Sequence, residues 1–474
     1  MQSAGDAPAI IWFRDDLRLS DNPALAEATA SGAPLVALYV LDDAAMGAWR
    51  LGAASRWWLH HSLTSLAADL ATRGVPLVLR SCAADVALFS LLSETKAQSV
   101  YWNRLYEPWA VRRDGEIKAR LRERCLRVES FNASLLFEPA ALHSAQGEPY
   151  RVFTPFWRAC LSRPAPETPL PAPSRLRGAP APESERLEDW RLLPTRPDWA
   201  GGLREAWTPG EPAAQAKLAD FAKVHAARYG AARDALGDGM VSRLSPHLHF
   251  GEISPRQVWS AVATGAQEAG AAYLRQLGWR EFSRHLLFAN PDMPEKPLDK
   301  SFARFPWRED GEGLEAWKKG RTGYPLVDAA MRELWRTGHM HNRARMVAAS
   351  FLVKHLLIHW REGEDWFWDT LVDADLANNA AGWQWVAGCG ADAAPYFRVF
   401  NPVLQGEKFD PDGLYVRRFV PELAKLETKW IQRPWAAPKA VLEAAGVRLG
   451  ETYPLPIVDH ASARAHALAA YGER

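Results

Sequence analysis

The sequence predicts an α/β N-terminal domain built on a parallel, Rossmann-like sheet, followed by an all-helical C-terminal domain. Three observations lead there. Short apolar runs alternate with helix-spaced segments up to about residue 132, the pattern of a sheet wound by right-handed crossovers. Seven prolines (164, 166, 169, 171, 173, 180 and 182) then crowd Arg163 to Pro182, a stretch that can neither pair inside a sheet nor continue a helix. Beyond Trp207 strand signals fade and helical spacing takes over. The expected divisions are residues 6–132 for the α/β domain, 133–206 for a long Pro-rich connection, and 207–474 for the helical domain.

Taken in order, Ala9–Phe13 is an apolar run suited to a buried strand. It ends in the charged loop Arg14 to Arg18. Ser20-Asp21-Asn22-Pro23 offers cap residues and a proline, a helix start before Ala24 to Ala30. Leu35 to Leu41 reads as the next strand, and Ala54 to Thr72 as a helix stopped by Gly74. Pro76 to Arg80 and Ser99 to Asn103 read as strands, and Arg113 to Arg124 as a helix. The prolines predict a connection laid over the surface. Helices are expected over Pro212 to Tyr229, Pro255 to Thr264, Ala271 to Phe288, Leu314 to Lys319, Pro325 to Thr337, Asn342 to His359 and Glu364 to Leu371.

With 474 residues, 48% of them apolar and 24% charged, the chain has the composition of a globular protein with two or three domains, not of a disordered one. Lys and Arg number 57 and Asp and Glu 56, a net charge of +1, so only a local basic patch could favour nucleic acid. The four cysteines (82, 125, 160 and 389) are scattered, without a CxxC or Cys/His cluster. No metal site is expected, and a reducing cytosol fits. Met1 to Ile10 lacks the order of a signal peptide, and no apolar run approaches the ~18 residues of a membrane span. There is no GxxxxGK[ST], HExxH or GxSxG, nor a GxGxxG after the first strand, which leaves triad hydrolysis, metal hydrolysis and ordinary dinucleotide binding without support.

Polar density gathers in the helical region. Asn342, Arg343, Arg345 and Met346 share one turn and a half of helix. Asp373, Asp375, Asn378 and Asn379 follow, then Gly382-Trp383-Gln384-Trp385. An Arg-to-Asp bridge here reads either as a structural ion pair with caps or as a pocket that orients a polar cofactor. Gln276, Trp279, Arg280 and Ser283 form one helical stripe. With Arg275, Arg284 and Arg343 it reads either as a solvated basic face or as phosphate contacts beside a stacking plate. The 22 tryptophans are, one by one, most simply core filler.

Several segments together resemble the DNA photolyases and cryptochromes: IIWFRDDLRLSDNPAL (10–25), SRLSPHLHFGEISPRQVW (242–259), LGWREFSRHLLF (277–288), GYPLVDAAMRELWRTGHMHNRARMVAASFLVKHLLIHWREGEDWF (323–367), DADLANNAAGWQW (373–385) and APYFRVFNPVLQGEKFDPDG (394–413). The resemblance spans nearly the whole chain. It implies an N-terminal antenna domain and a C-terminal helical domain that holds FAD. It implies blue-light excitation of reduced FAD and electron donation to a pyrimidine dimer flipped out of DNA. Cyclobutane-dimer repair is the implied activity, a cryptochrome-type photoreceptor or a (6-4) photolyase the alternatives. The implied partner is UV-damaged DNA, with no membrane, for a monomer that is cytoplasmic and DNA-associated.

By motif position, Tyr229 and Ser242, Arg243, Leu244 and Ser245 resemble FAD phosphate and ribityl binders. Asn342, Arg345, Asp373, Asp375 and Asn379 resemble residues around the flavin. Trp383, Trp360 and Trp307 match the electron-relay positions, while Trp317 falls outside them. Gln276, Trp279, Arg280, Asn342, Arg343, Met346 and Trp385 resemble the lesion and DNA contacts. Cyclobutane-dimer enzymes usually carry Glu where Gln276 stands, and Gln is more typical of (6-4) enzymes. The (6-4) enzymes, however, place His where this chain has Asn342 and Met346, and their chemistry calls for an acid. GAASRWWLHHSL (52–63) and Tyr106-Glu107 resemble folate-binding relatives, with Glu107 as the pterin contact. The implied antenna chromophore is methenyltetrahydrofolate, with a deazaflavin as the alternative.

Overall fold

The computed structural model describes residues 7–180, 182–237, 240–392, 396 and 398–473. By internal contacts these fall into two compact units. The first gathers the chain up to Ala200 with Trp207–Arg228 and Ser242–Pro291; the second gathers Gly201–Ala206, Tyr229–Val241 and the chain from Asp292 onward. The membership does not follow the boundaries drawn from the sequence, because residues 207–228 and 242–291 group with the sheet.

In the first unit five strands, β1 (Ala9–Phe13), β2 (Leu35–Val40), β3 (Leu77–Arg80), β4 (Ser99–Asn103) and β5 (Arg127–Phe131), form a parallel sheet in the order β3-β2-β1-β4-β5. Every residue of β1, β2 and β4 is buried. Their continuous apolar runs announce this, since a parallel sheet is covered on both faces. Several elements escaped the sequence reading. The helix Ala84–Thr95 begins behind Ala83, which has no side-chain oxygen for a cap. The edge strand β5 mixes Arg127, Glu129 and Ser130 into its run. The helix expected from Arg113 starts earlier, at Pro108, with proline in its first turn.

The proline-rich connection is not featureless. It contains the helix Phe153–Leu161, whose Phe153, Phe156, Trp157 and Cys160 are buried. This helix lies against Ala271–Ala289, so tightly that a Cβ on Gly278 would come within 2.5 Å of the Trp157 ring. Arg18 shows why residues 242–291 stay with the sheet: its guanidinium is 1% exposed and donates to the carbonyls of Asp21, Ala133 and Gly251. Arg256 adds an ion pair to buried Asp21 at 2.8 Å, and Trp58 Nε1 donates to buried Glu252 at 3.0 Å.

The second unit is helical among its described residues. Pro325–Thr337, Asn342–Ser350, Trp360–Thr370 and Leu376–Ala387 surround one apolar core that includes Trp317, Phe351, Trp360, Phe367 and Trp383. The helix expected over Asn342 to His359 is broken. It loosens into a π turn at Phe351–His355 and stops, with Leu357 at φ +56°. Trp360 therefore opens a new helix, capped by His359.

Candidate functional site

In the second unit, Asn342–Ser350 begins behind His341, whose Nδ1 accepts from the Arg343 amide. Burial pushes the His341 imidazole down to about 4, so it is neutral at ordinary pH. Asn342 and Met346, four apart, share one helix face, with Asn342 Nδ2 3.9 Å from the Met346 sulfur. Arg343 and Arg345 diverge. Arg343 pairs with Asp234 at 3.0 Å and lies 4.3 Å over the Phe409 ring. Arg345 sends Nη2 to both oxygens of Asp373, at 2.9 and 2.8 Å, and Nε to the Met340 carbonyl at 2.7 Å. The expected bridge is present.

Asp375 caps Leu376–Ala387, accepting from the Asn378 amide and side chain, each at 2.9 Å. One turn on, Asn379 Nδ2 donates to the Glu364 carbonyl at 3.0 Å. Glu364, which the sequence reading missed, is fully buried, and neither of its carboxyl oxygens has a hydrogen-bond partner. Burial outweighs Arg361 and holds this carboxyl well above the usual range, in its neutral form. It stands among Glu362, Asp365 and Asp369 in the sequence, so nothing there marks it as the inward one.

The Trp383 ring is gripped from several sides. A Cβ on Gly363 would fall 2.0 Å from it. Phe367 lies 4.9 Å away and Trp317 6.1 Å away edge-on. Trp383 Nε1 is buried without a partner. Trp360 is buried and Trp307 partly exposed; His359 touches both rings. Trp317 thus touches Trp383, one of the rings expected in the relay. Trp385 packs partly buried against the core, and Tyr229 is buried, its phenol raised by burial. Arg345, Asp373 and Asn379, with the unsatisfied atoms of Glu364 and Trp383, make an apolar setting with a few fixed polar groups. That donor set fits a cofactor with a flat ring and polar edges.

The first unit carries the other expected residues. Arg243 stands at φ +51°, a costly backbone for a non-glycine residue, with its guanidinium 4.2 Å over the Trp207 ring. Ser242 Oγ bonds the Tyr273 hydroxyl at 2.8 Å; Leu244 is buried, and exposed Ser245 opens a short helix. Gln276 is partly exposed, and Trp279 stacks on Phe153 at 3.7 Å. One expectation fails here. Arg280 is not on a basic surface: it is 9% exposed, beside Glu281, and donates to the Ser134 carbonyl at 2.6 Å. Arg284 is likewise buried, paired with Glu107 at 3.2 Å. The other oxygen of Glu107 accepts from the Tyr106 amide at 3.1 Å, and the residue is 8% exposed. Buried charges need partners, and these arginines and glutamates supply one another.

Comparison with known proteins matches the same two regions. Residues 9–174 match the model described as DNA photolyase, and residues 273–473 the FAD binding domain of DNA photolyase. The chain is 53% identical to a deoxyribodipyrimidine photo-lyase of Agrobacterium fabrum over 98% of both chains. It is 42% identical to Cryptochrome-1 of Arabidopsis thaliana over 97% of this chain and 69% of that one. A crystal structure of a bacterial class III photolyase from Agrobacterium tumefaciens superposes with a TM-score of 0.96 at 52% identity, covering 99% of this chain and 98% of that one. Among the described residues no helix is long and apolar enough to cross a membrane.

Proposed function

This chain belongs to the DNA photolyase and cryptochrome family, and from that premise we propose that it is a deoxyribodipyrimidine photo-lyase that splits cyclobutane pyrimidine dimers in damaged DNA. The observation that carries the reading is the 53% identity, over 98% of both chains, to a relative of that name. Bound and reduced, FAD supplies the chemistry, giving one electron to the dimer under blue light and recovering it when the ring has split.

The side chains position and insulate. Arg345, held through Nη2 by Asp373 and through Nε by the Met340 carbonyl, offers a fixed positive edge to the flavin ring. Asn379 has its amide nitrogen engaged by Glu364, so its carbonyl end is what a cofactor N–H would meet. Asp375 orients Asn379 by capping their common helix. Tyr229, Ser242, Arg243, Leu244 and Ser245 are assigned to the phosphates and ribityl chain. Trp383, Trp360 and Trp307 pass electrons inward when the flavin must be reduced. Gln276, Trp279, Met346 and Trp385 present stacking and hydrogen-bonding surfaces to the lesion, and Arg343 a charge to its phosphates. Asn342 and Met346 hold no titratable proton, and buried His341 is neutral, so the acid needed for a (6-4) lesion is lacking. The antenna chromophore, methenyltetrahydrofolate or a deazaflavin, is assigned to the first unit, with Glu107 as its pterin contact.

The test is blue-light reversal on two oligonucleotides, one with a cyclobutane dimer and one with a (6-4) lesion, using the reduced, FAD-loaded protein and dark controls. Reversal of the first alone is expected. Reversal of neither would replace this reading with a blue-light receptor, and reversal of the (6-4) lesion alone would make Gln276 the deciding residue.

A further inference from the structure

Between two of the tryptophans assigned to electron transfer lies a third ring. His359 is 5.2 Å from Trp307, edge-on at 61°, and 5.5 Å from Trp360, near-stacked at 28°. The ring is held in place. Its Nδ1 accepts from the Arg361 amide at 3.1 Å as the cap of Trp360–Thr370. The neighbouring backbone is tied to Trp307's own segment by a bond of 2.8 Å from the Arg308 amide to the Leu357 carbonyl. Trp307, His359 and Trp360 therefore form one continuous line of ring contacts.

We propose that His359 is the bridge of the outer electron hop, coupling Trp307 to Trp360. This deepens the relay assigned under Proposed function and rests on it. The oxidant is light-excited, oxidised flavin. Once the inner steps have left Trp360 one electron short, Trp307 gives an electron across the His359 contacts. Trp360 is restored, and Trp307 becomes the radical cation. Being partly exposed, Trp307 then releases its indole proton to water and awaits an external thiol.

His359 suits the position because it carries no charge there. Burial and the neighbouring Arg361 push its imidazole down to about 4. With Nδ1 engaged as acceptor, the proton of the neutral ring sits on Nε2. A permanent cation 5.2 Å from the Trp307 ring would oppose the positive radical. At an effective dielectric of about 20 the shift is on the order of a hundredfold against its formation.

The experiment is flash photolysis of the FAD-loaded protein, following tryptophan radical absorption after the pulse, and three substitutions separate the bridge from the cap. His359→Asn keeps a good capping oxygen and removes the ring; His359→Phe keeps a ring and removes the cap; His359→Lys places a charge there. The early signal from Trp383 should form in all three. The long-lived Trp307 radical should be lost in His359→Asn and His359→Lys and kept in His359→Phe. A wild-type long-lived signal in His359→Asn overturns the proposal, and so does a loss in His359→Phe equal to that in His359→Asn, which would make the residue a cap only. Trp307→Phe run alongside identifies a failure of the underlying reading: if it leaves the long-lived signal intact, the relay does not end at Trp307, and the bridge falls with it.

Discussion

Replacing Asp373 by alanine tests the ion pair on which the proposed cofactor site depends. Arg345 holds both carboxyl oxygens at 2.8 and 2.9 Å, and the side chains are 25% and 4% exposed for Arg345 and Asp373. Breaking a fully buried pair costs about 3–5 kcal/mol, because the surviving charge is stranded. Arg345 is a quarter exposed and keeps the Met340 carbonyl, so it regains some hydration, and about 2–3 kcal/mol is expected. Urea unfolding of the FAD-free protein reads this as a lower midpoint at unchanged slope. In FAD-loaded protein the loss should be larger, since weaker retention of the cofactor removes binding stabilisation as well. Adding Arg345→Met to the alanine variant should return part of the loss, a coupling expected of groups in contact. The reasoning fails if Asp373→Ala unfolds within about 0.5 kcal/mol of the parent, the range of an ordinary surface change, and keeps its flavin through gel filtration.

Three further outcomes can be checked. Burial holds the Glu364 carboxyl well above the 4.5 at which the unfolded chain releases that proton; stability should therefore fall as pH rises above that value, and Glu364→Gln should flatten this slope in denaturation curves. Trp383→Phe should abolish photoreduction of bound oxidised FAD, followed by absorption, while Trp430→Phe, a better control than Trp317, should reduce normally. Gln276→Glu should raise affinity for dimer-containing oligonucleotide in filter binding, because a carboxylate accepts stronger bonds from thymine N–H groups than an amide does; unchanged affinity would remove Gln276 from the lesion.

What could be read in advance was what periodicity and motif encode. The runs Ala9–Phe13 and Ser99–Asn103 are apolar throughout, and a parallel sheet buried on both faces leaves strands no other composition. The Arg345–Asp373 pair was legible from its motif. The errors share one cause, that a charge in a sequence does not say which way it faces. Arg280 and Arg284 read as a basic surface and fold inward, one beside Glu281 and the other onto Glu107. Glu364 reads as one acid among several and is the one without water. The break at Leu357, which puts His359 at a helix start instead of inside a helix, has no glycine or proline beside it to announce it.

The ion pair also bears on how residues assigned to cofactor and to lesion can share one short helix. Asn342, Arg345 and Met346 lie near one face of Asn342–Ser350. One guanidinium nitrogen, Nη2, reaches both oxygens of the carboxylate while Nε holds the Met340 carbonyl, so the group is pinned at two points. Asp373 sits two residues before the cap of Leu376–Ala387, so this contact ties one helix to the start of the other. Asn342 and Met346 are aimed by that tie, and Asn379 by the capped helix. Truncating Asp373 therefore loosens both groups at once, and an Asp373 variant that still held FAD should show disturbed lesion binding as well. A solvent-exposed pair could not hold this alignment, because water and salt would compete for each partner; a pair with its carboxylate 4% exposed can.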